Sequence, residues 1–205
     1  MAESYEAVLF DFDGVLADSE PVHFACWREV LLPLGISLEW ERYHQHYIGI
    51  SDRKMAEDLV KRANRPVTVE EISARYDAKT ELFREEIRRQ LPFAPGVVEF
   101  VRSLNGYRVG VVSSSRSSEV RPVLEAGGLW ESLSVTVFGE DVTRHKPDPE
   151  PYRKAAAILG VRRALVVEDS EAGVASGRAA GFDVLRIPDP ARTVELVRRR
   201  LGMDG

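Results

Sequence analysis

Short apolar runs rich in β-branched residues recur along the chain and are typical of buried strands. They cover residues 7–10, 109–112, 135–138, 164–167 and 184–187. From residue 96 onward these runs alternate with stretches in which apolar residues recur at helical spacing. Alternating strands and helices predict a parallel sheet with helices on both faces. The pattern therefore indicates an α/β fold with a Rossmann-like core.

The alternation is interrupted between the first and second runs, where no convincing strand occurs. Helical spacing of apolar residues predicts one helix over 21–32 and another over about 51–63. Thr68 and Glu71 form a capping box that predicts a single long third helix. Its apolar stripe consists of Ile72, Tyr76, Leu82, Phe83 and Ile87.

This helical stretch lies inside the sequence of the α/β unit, and prolines and a glycine follow it at Pro92, Pro95 and Gly96. We expect residues 18–90 to form an inserted α-helical cap domain. The α/β core is then expected to comprise residues 1–17 and 91–205.

Composition and charge exclude several classes of protein. The chain has 205 residues, with 28 Lys and Arg against 33 Asp and Glu, so its formal net charge is −5. A mildly acidic chain lacks the basic surface of a nucleic-acid-binding protein. No apolar run approaches the roughly 18 residues that a membrane span requires. Cys26 is the only cysteine, and the N-terminus does not resemble a signal peptide. We expect a cytoplasmic monomer that binds neither nucleic acid nor membrane.

Polar residues follow the predicted strands, where open parallel sheets bind their ligands. They are Asp11 and Asp13, Ser113 to Ser115, Lys146, Glu168 and Asp169. Two carboxylates about 4 Å apart repel each other by about 4 kcal/mol at an effective dielectric constant near 20. A cluster of four therefore needs a cation to balance its charge.

The residue types indicate which cation this is. Oxygen ligands without Cys or His favour a hard ion, Mg²⁺ before Ca²⁺. A hard metal beside a lysine and hydroxyl groups is typical of a phosphate site, where positive charge is gathered around a phosphoryl group during its transfer. The pattern therefore predicts a phosphate site.

Four segments, in order, resemble the four motifs of the haloacid dehalogenase superfamily. They are residues 11–19 (DFDGVLADS), 111–115 (VVSSS), 146–152 (KPDPEPY) and 167–173 (VEDSEAG). The helical insert after the first motif resembles the cap of the β-phosphoglucomutase-like branch, which also contains many phosphatases. The resemblance spans most of the chain.

The resemblance implies catalytic roles. Asp11 would be the nucleophile that forms an aspartyl-phosphate, and Asp13 the general acid and base. Ser113, Ser114 and Lys146 would hold the phosphoryl oxygens.

The resemblance also implies a Mg²⁺ site. Its ligands would be Asp11, the backbone carbonyl of Asp13, and Asp169. Glu168 would bind the ion either directly or through water.

Four residues of the insert match positions that contact substrate in this branch. They are His23, Gly49, Arg53 and Lys79. A solvated lysine is the alternative for Lys79.

The resemblance leaves more than one reaction open. Asp13 argues against C–halogen cleavage, because dehalogenases lack an acid at that position. A phosphatase is favoured over a β-phosphoglucomutase-type mutase, because in such mutases an arginine follows the serine of the cap loop. Here Asp52 follows Ser51, and Arg53 comes one place later. A non-catalytic metal-binding interaction module is the remaining alternative, and the substrate itself is not determined.

Overall fold

The five apolar runs form one parallel sheet in the computed structural model, which describes residues 5–48, 50 and 52–203. The strands are β1 (Ala7–Phe10), β2 (Arg108–Val112), β3 (Val135–Val137), β4 (Ala164–Glu168) and β5 (Asp183–Arg186). Their order is β3-β2-β1-β4-β5, and all neighbouring pairs are parallel. The predicted parallel α/β fold is confirmed, and each strand end lies within one residue of its predicted position.

The chain divides into two compact units, one of residues 1–18 and 91–205 and the other of residues 19–90. We call the first the α/β unit and the second the helical unit. The helical unit contains α1 (Glu20–Leu31), α2 (Trp40–His46), α3 (Asp52–Arg62), α4 (Val69–Ser73) and α5 (Tyr76–Arg89). The α/β unit contains α6 (Val97–Arg102), α7 (Ser117–Ala126), α8 (Glu150–Leu159), α9 (Glu171–Ala180) and α10 (Thr193–Leu201). Short 3₁₀ turns occur at Leu32–Leu34, Trp130–Ser132, Gly139–Asp141 and Pro190–Arg192.

The third helix of the helical unit differs from its prediction. The capping box is present, since Thr68 Oγ1 accepts from the backbone N–H of Glu71 and the Glu71 carboxylate accepts from the N–H of Thr68. However, α4 ends at Ser73 and a separate helix, α5, begins at Tyr76. Arg75 N–H donates to the carbonyl of Ile72, three residues earlier, over 3.0 Å. This tighter turn replaces the helical hydrogen bond, so the prediction of one continuous helix was wrong.

Each unit has its own apolar core. Apolar side chains such as Trp27, Leu59 and Ile72 form a buried cluster in the helical unit. In the α/β unit, Leu9 and Val166 from adjacent strands join a cluster against α8. Every residue of β1 and β4 is buried, as expected for central strands covered on both faces.

No helix within the described ranges combines the length and the apolar character needed to cross a bilayer.

Candidate active site

Acidic residues stand at the carboxyl ends of β1 and β4. These strands pair in parallel register from Ala7–Ala164 to Phe10–Val167. Asp11 extends the ladder by one step, because its N–H donates to Val167 O over 2.9 Å. The register therefore brings Asp11 beside Glu168, and Asp169 follows. Carboxylate oxygens of Asp11, Glu168 and Asp169 lie within 4.8 Å of one another.

Two glycines make room for this cluster. A Cβ atom on Gly14 would lie 2.2 Å from Asp169 Oδ2, and one on Gly173 would lie 1.8 Å from Glu168 Oε1. Gly14 also has φ +74°, a backbone conformation that favours glycine. The loop after β1 and the first turn of α9 can approach the carboxylates only because these positions lack a side chain.

Lys146 links the ends of three strands. Its ammonium group donates to Asp11 Oδ1 over 3.0 Å, to Glu168 Oε1 over 2.6 Å and to Val112 O over 2.9 Å. The side chain is only 5% exposed. All three donors of the ammonium group thus meet fixed acceptors, which holds a flexible side chain in one place.

The carboxylate of Asp13 has a different partner. Ser115 Oγ donates to Asp13 Oδ2 over 2.8 Å. Ser113 is buried, and its hydroxyl accepts from Ser115 N–H over 3.0 Å. Ser114 is exposed. The serine segment after β2 therefore contacts Asp13 through Ser115 and places the hydroxyl of Ser113 beside the strand ends. Ser115 belongs to the predicted polar run after β2, but its bond to Asp13 was not predicted.

Glu168 is completely buried and is fixed through both oxygens. Tyr152 Oη donates to Oε1 over 2.7 Å, and Ser170 Oγ donates to Oε2 over 3.1 Å. Ser170 is also the N-cap of α9, since its hydroxyl accepts from Gly173 N–H. No role for Tyr152 was predicted, although it ends the third motif.

The electrostatics of the cluster favour a bound cation. Burial raises the pKa of Asp11 well above its usual range, and the charge of Glu168 adds to the effect. Burial and the same neighbouring charge raise the pKa of Asp169 to about 7. Burial alone would lower the pKa of Lys146, but Asp11 and Glu168 raise it. One ammonium group does not balance this many carboxylates, and the donor set consists of oxygen atoms. The described residues therefore fit a hard divalent cation.

His23 and Lys79 lie together in the helical unit. Lys79 Nζ is 2.7 Å from His23 Nδ1, and both side chains are buried. The ring of His23 stacks on Phe83, with 4.3 Å between ring centroids. Lys79 Nζ also lies 5.5 to 5.8 Å from the centroids of Trp27, Tyr76 and Phe83. Lys79 is only 2% exposed, so the solvated alternative for this residue is wrong.

The other two predicted residues of the insert are Arg53 and Gly49. Arg53 lies in the first turn of α3, where its side chain is 83% exposed and forms an ion pair with Glu57 over 3.2 Å. Gly49 lies outside the described residues.

A parallel sheet with acidic residues and a lysine at its carboxyl edge is an α/β fold with a polar ligand site at that edge, and comparison of the sequence with known families identifies the family. Residues 8–187 match the family described as haloacid dehalogenase-like hydrolase. The chain therefore belongs to the haloacid dehalogenase-like hydrolases.

Relatives within this family are similar to this chain over most of their length. A phosphorylated carbohydrates phosphatase of Thermotoga maritima is 30% identical over 180 residues, which is 87% of this chain and 82% of the relative. The fructose-1-phosphate phosphatase YqaB of Escherichia coli is 28% identical over 190 residues, covering 91% of this chain and 98% of the relative. The crystal structure of CbbY from Rhodobacter sphaeroides in complex with phosphate superposes with a TM-score of 0.76. It is 26% identical, with 88% of this chain and 84% of that chain covered.

Proposed function

We propose that this chain is a Mg²⁺-dependent phosphatase that hydrolyses a small phosphorylated metabolite, such as a sugar phosphate, through an aspartyl-phosphate on Asp11. The observation that carries the proposal is the buried cluster of Asp11, Glu168 and Asp169 with Lys146 at the carboxyl edge of the sheet. The named activities of the Thermotoga and Escherichia relatives support the substrate class.

Asp11 and Asp13 divide the reaction into two displacements. A carboxylate oxygen of Asp11 attacks phosphorus, the bond to the leaving oxygen breaks, and protonated Asp13 gives its proton to that oxygen. The alcohol leaves and Asp11 carries the phosphoryl group. Ionised Asp13 then takes a proton from water, whose oxygen attacks phosphorus. The bond to Asp11 breaks, and inorganic phosphate leaves.

Other residues of the site hold the phosphoryl group. Lys146, Ser113 and Ser114 would contact its oxygens with an ammonium group and hydroxyl or backbone donors. Asp11, Glu168, Asp169 and the backbone carbonyl of Asp13 would hold Mg²⁺. When bound, Mg²⁺ supplies positive charge that reduces the repulsion between Asp11 and the phosphoryl oxygens.

In this proposal, residues 18–90 form a cap that selects the substrate, and residues 1–17 and 91–205 form the catalytic core. His23 and Lys79 would face the substrate, together with Gly49 and Arg53. The contact between the buried His23 and Lys79 side chains supports this role, because it holds two polar groups together at one fixed place in the helical unit. Closure of a cap excludes bulk water from the reacting groups.

Hydrolysis is favoured over mutase transfer by the surroundings of Arg53. A mutase must retain a doubly phosphorylated intermediate while it reorients, which requires a cation for the second phosphate. Arg53 is paired with Glu57, and Asp52 beside it would repel a phosphate. We therefore propose that water, not a second hydroxyl of the sugar, takes the phosphoryl group from Asp11.

A screen of phosphate release over a panel of phosphorylated metabolites tests the proposal. The wild type should release phosphate with Mg²⁺, and EDTA should abolish the activity.

β-Glucose 1-phosphate, if it reacts, should give glucose and phosphate without accumulating glucose 6-phosphate. Lys79→Ala should raise KM for the preferred metabolite more than for p-nitrophenyl phosphate. Full activity in EDTA, or glucose 6-phosphate formed faster than phosphate, would contradict the proposal.

A further inference from the structure

Tyr152 is a buried tyrosine whose hydroxyl group has no part in the proposed chemistry. It lies in the first turn of α8 and is 0% exposed. Its Oη donates to Glu168 Oε1 over 2.7 Å, and Lys146 Nζ lies 5.2 Å from the centroid of its ring. One side chain therefore contacts both members of the Lys146–Glu168 ion pair.

The shared oxygen makes these contacts interdependent. Glu168 Oε1 accepts from both Tyr152 Oη and Lys146 Nζ, while Oε2 accepts from Ser170 Oγ. A carboxylate with fixed donors at both oxygens cannot rotate about its terminal bond without losing a hydrogen bond. Without the Tyr152 hydroxyl, Lys146 would be the only donor in the described residues that holds Oε1 in place.

Lys146 depends on this oxygen during the reaction. In the structure its ammonium group has three acceptors, of which Asp11 and Glu168 are charged. When a carboxylate oxygen of Asp11 forms a bond to phosphorus, Asp11 becomes an acyl phosphate and its carboxyl group loses its negative charge. Glu168 is then the remaining charged acceptor that holds the ammonium group beside the phosphoryl oxygens.

We propose that Tyr152 is a positioning residue: its hydroxyl fixes Glu168 Oε1 and, through it, sets the Lys146 ammonium group for phosphoryl binding. The inference rests on the proposed function, because it takes the phosphoryl group as the ligand of Lys146. The hydroxyl is the acting group, and the ring alone does not replace it.

Tyr152→Phe removes the hydroxyl and keeps the ring. With saturating Mg²⁺, calorimetry should show affinity for inorganic phosphate weakened by about tenfold, the size expected when a hydrogen bond to a charged group is lost. KM for p-nitrophenyl phosphate should rise to a similar extent. Mg²⁺ affinity without phosphate should fall less than phosphate affinity, because Glu168 is one of several proposed ligands of the ion and its Oε2 keeps the hydrogen bond from Ser170. Tyr5→Phe is a matched control, since Tyr5 Oη donates to Asp183 Oδ2 over the same 2.7 Å elsewhere in the α/β unit.

The outcomes separate this inference from the proposed function. Wild-type phosphate affinity in Tyr152→Phe, or a loss of Mg²⁺ affinity larger than the loss of phosphate affinity, would overturn the role of Tyr152. Tyr152→Leu removes ring and hydroxyl together. A phosphate-affinity loss in Tyr152→Leu but not in Tyr152→Phe would assign the effect to packing and also overturn it. A wild-type protein that neither binds phosphate nor hydrolyses esters would instead refute the proposed function.

Discussion

The hydroxyl of Ser115 holds the carboxylate that the proposed mechanism uses as acid and base. It donates to Asp13 Oδ2 over 2.8 Å. A general acid must be aimed at the leaving oxygen, and a single hydroxyl restricts the rotation of this side chain. In the proposed mechanism, Ser115 would therefore affect the step in which the alcohol leaves.

Ser115→Ala should slow hydrolysis of an alkyl phosphate such as fructose 1-phosphate by about tenfold, a part of the effect of losing general acid catalysis altogether. Hydrolysis of p-nitrophenyl phosphate should change less, because nitrophenolate leaves without a proton and only the later attack of water depends on Asp13. Steady-state kinetics with both esters measures the difference. Ser103→Ala is the control, since Ser103 Oγ donates only to the Phe100 carbonyl, over 2.7 Å. Equal losses with both esters would show that Ser115 does not act on the proton that Asp13 gives to the leaving alcohol.

The strands of the α/β unit could be predicted because each contains a short apolar run, and β1 to β4 are largely buried. Their ends then placed Asp11, Glu168 and Asp169 at one edge. The hydrogen bonds of Tyr152 and Ser115 could not be predicted in the same way. They join residues that are distant in sequence, such as Ser115 and Asp13, and depend on the distances between elements.

Helix boundaries in the helical unit were harder to predict for two physical reasons. The apolar stripe runs in phase from Ile72 to Tyr76, so the break between α4 and α5 leaves no mark in the periodicity. The segment Trp40–His46 forms α2, although it was not predicted as a helix. In α2 only Tyr43 is buried, and one buried residue does not produce a period.

Charge balance in the α/β unit affects the stability of the whole molecule. The pKa of Asp169 is raised to about 7 by burial and by the charge of Glu168, from an ordinary value of 3.8. Between these values the folded chain keeps a proton that the unfolded chain loses. The free energy of unfolding of the metal-free protein therefore falls through this group as pH rises from about 4 to about 7. A cation that binds the ionised carboxylates should offset this loss.

Mg²⁺ should consequently raise Tm more at pH 8 than at pH 5.5, because at the lower pH protons compete for the same oxygens. Thermal unfolding with Mg²⁺ and with EDTA at both pH values measures the shift. In Asp169→Asn the shift should be smaller and should vary less with pH. A Mg²⁺-induced shift that is equal at both pH values, or greater at pH 5.5, would refute this charge balance.

Asp11 is proposed to carry the phosphoryl group during turnover, and peptide mapping after rapid acid quench of turnover with a radiolabelled phosphate ester detects which residue is phosphorylated. We expect wild-type protein with Mg²⁺ to carry label on the peptide containing Asp11, and protein in EDTA or the Asp11→Asn variant to carry none. We also expect Asp11→Asn to lose turnover. Label on another residue, or near wild-type turnover by Asp11→Asn, would show that Asp11 is not the nucleophile.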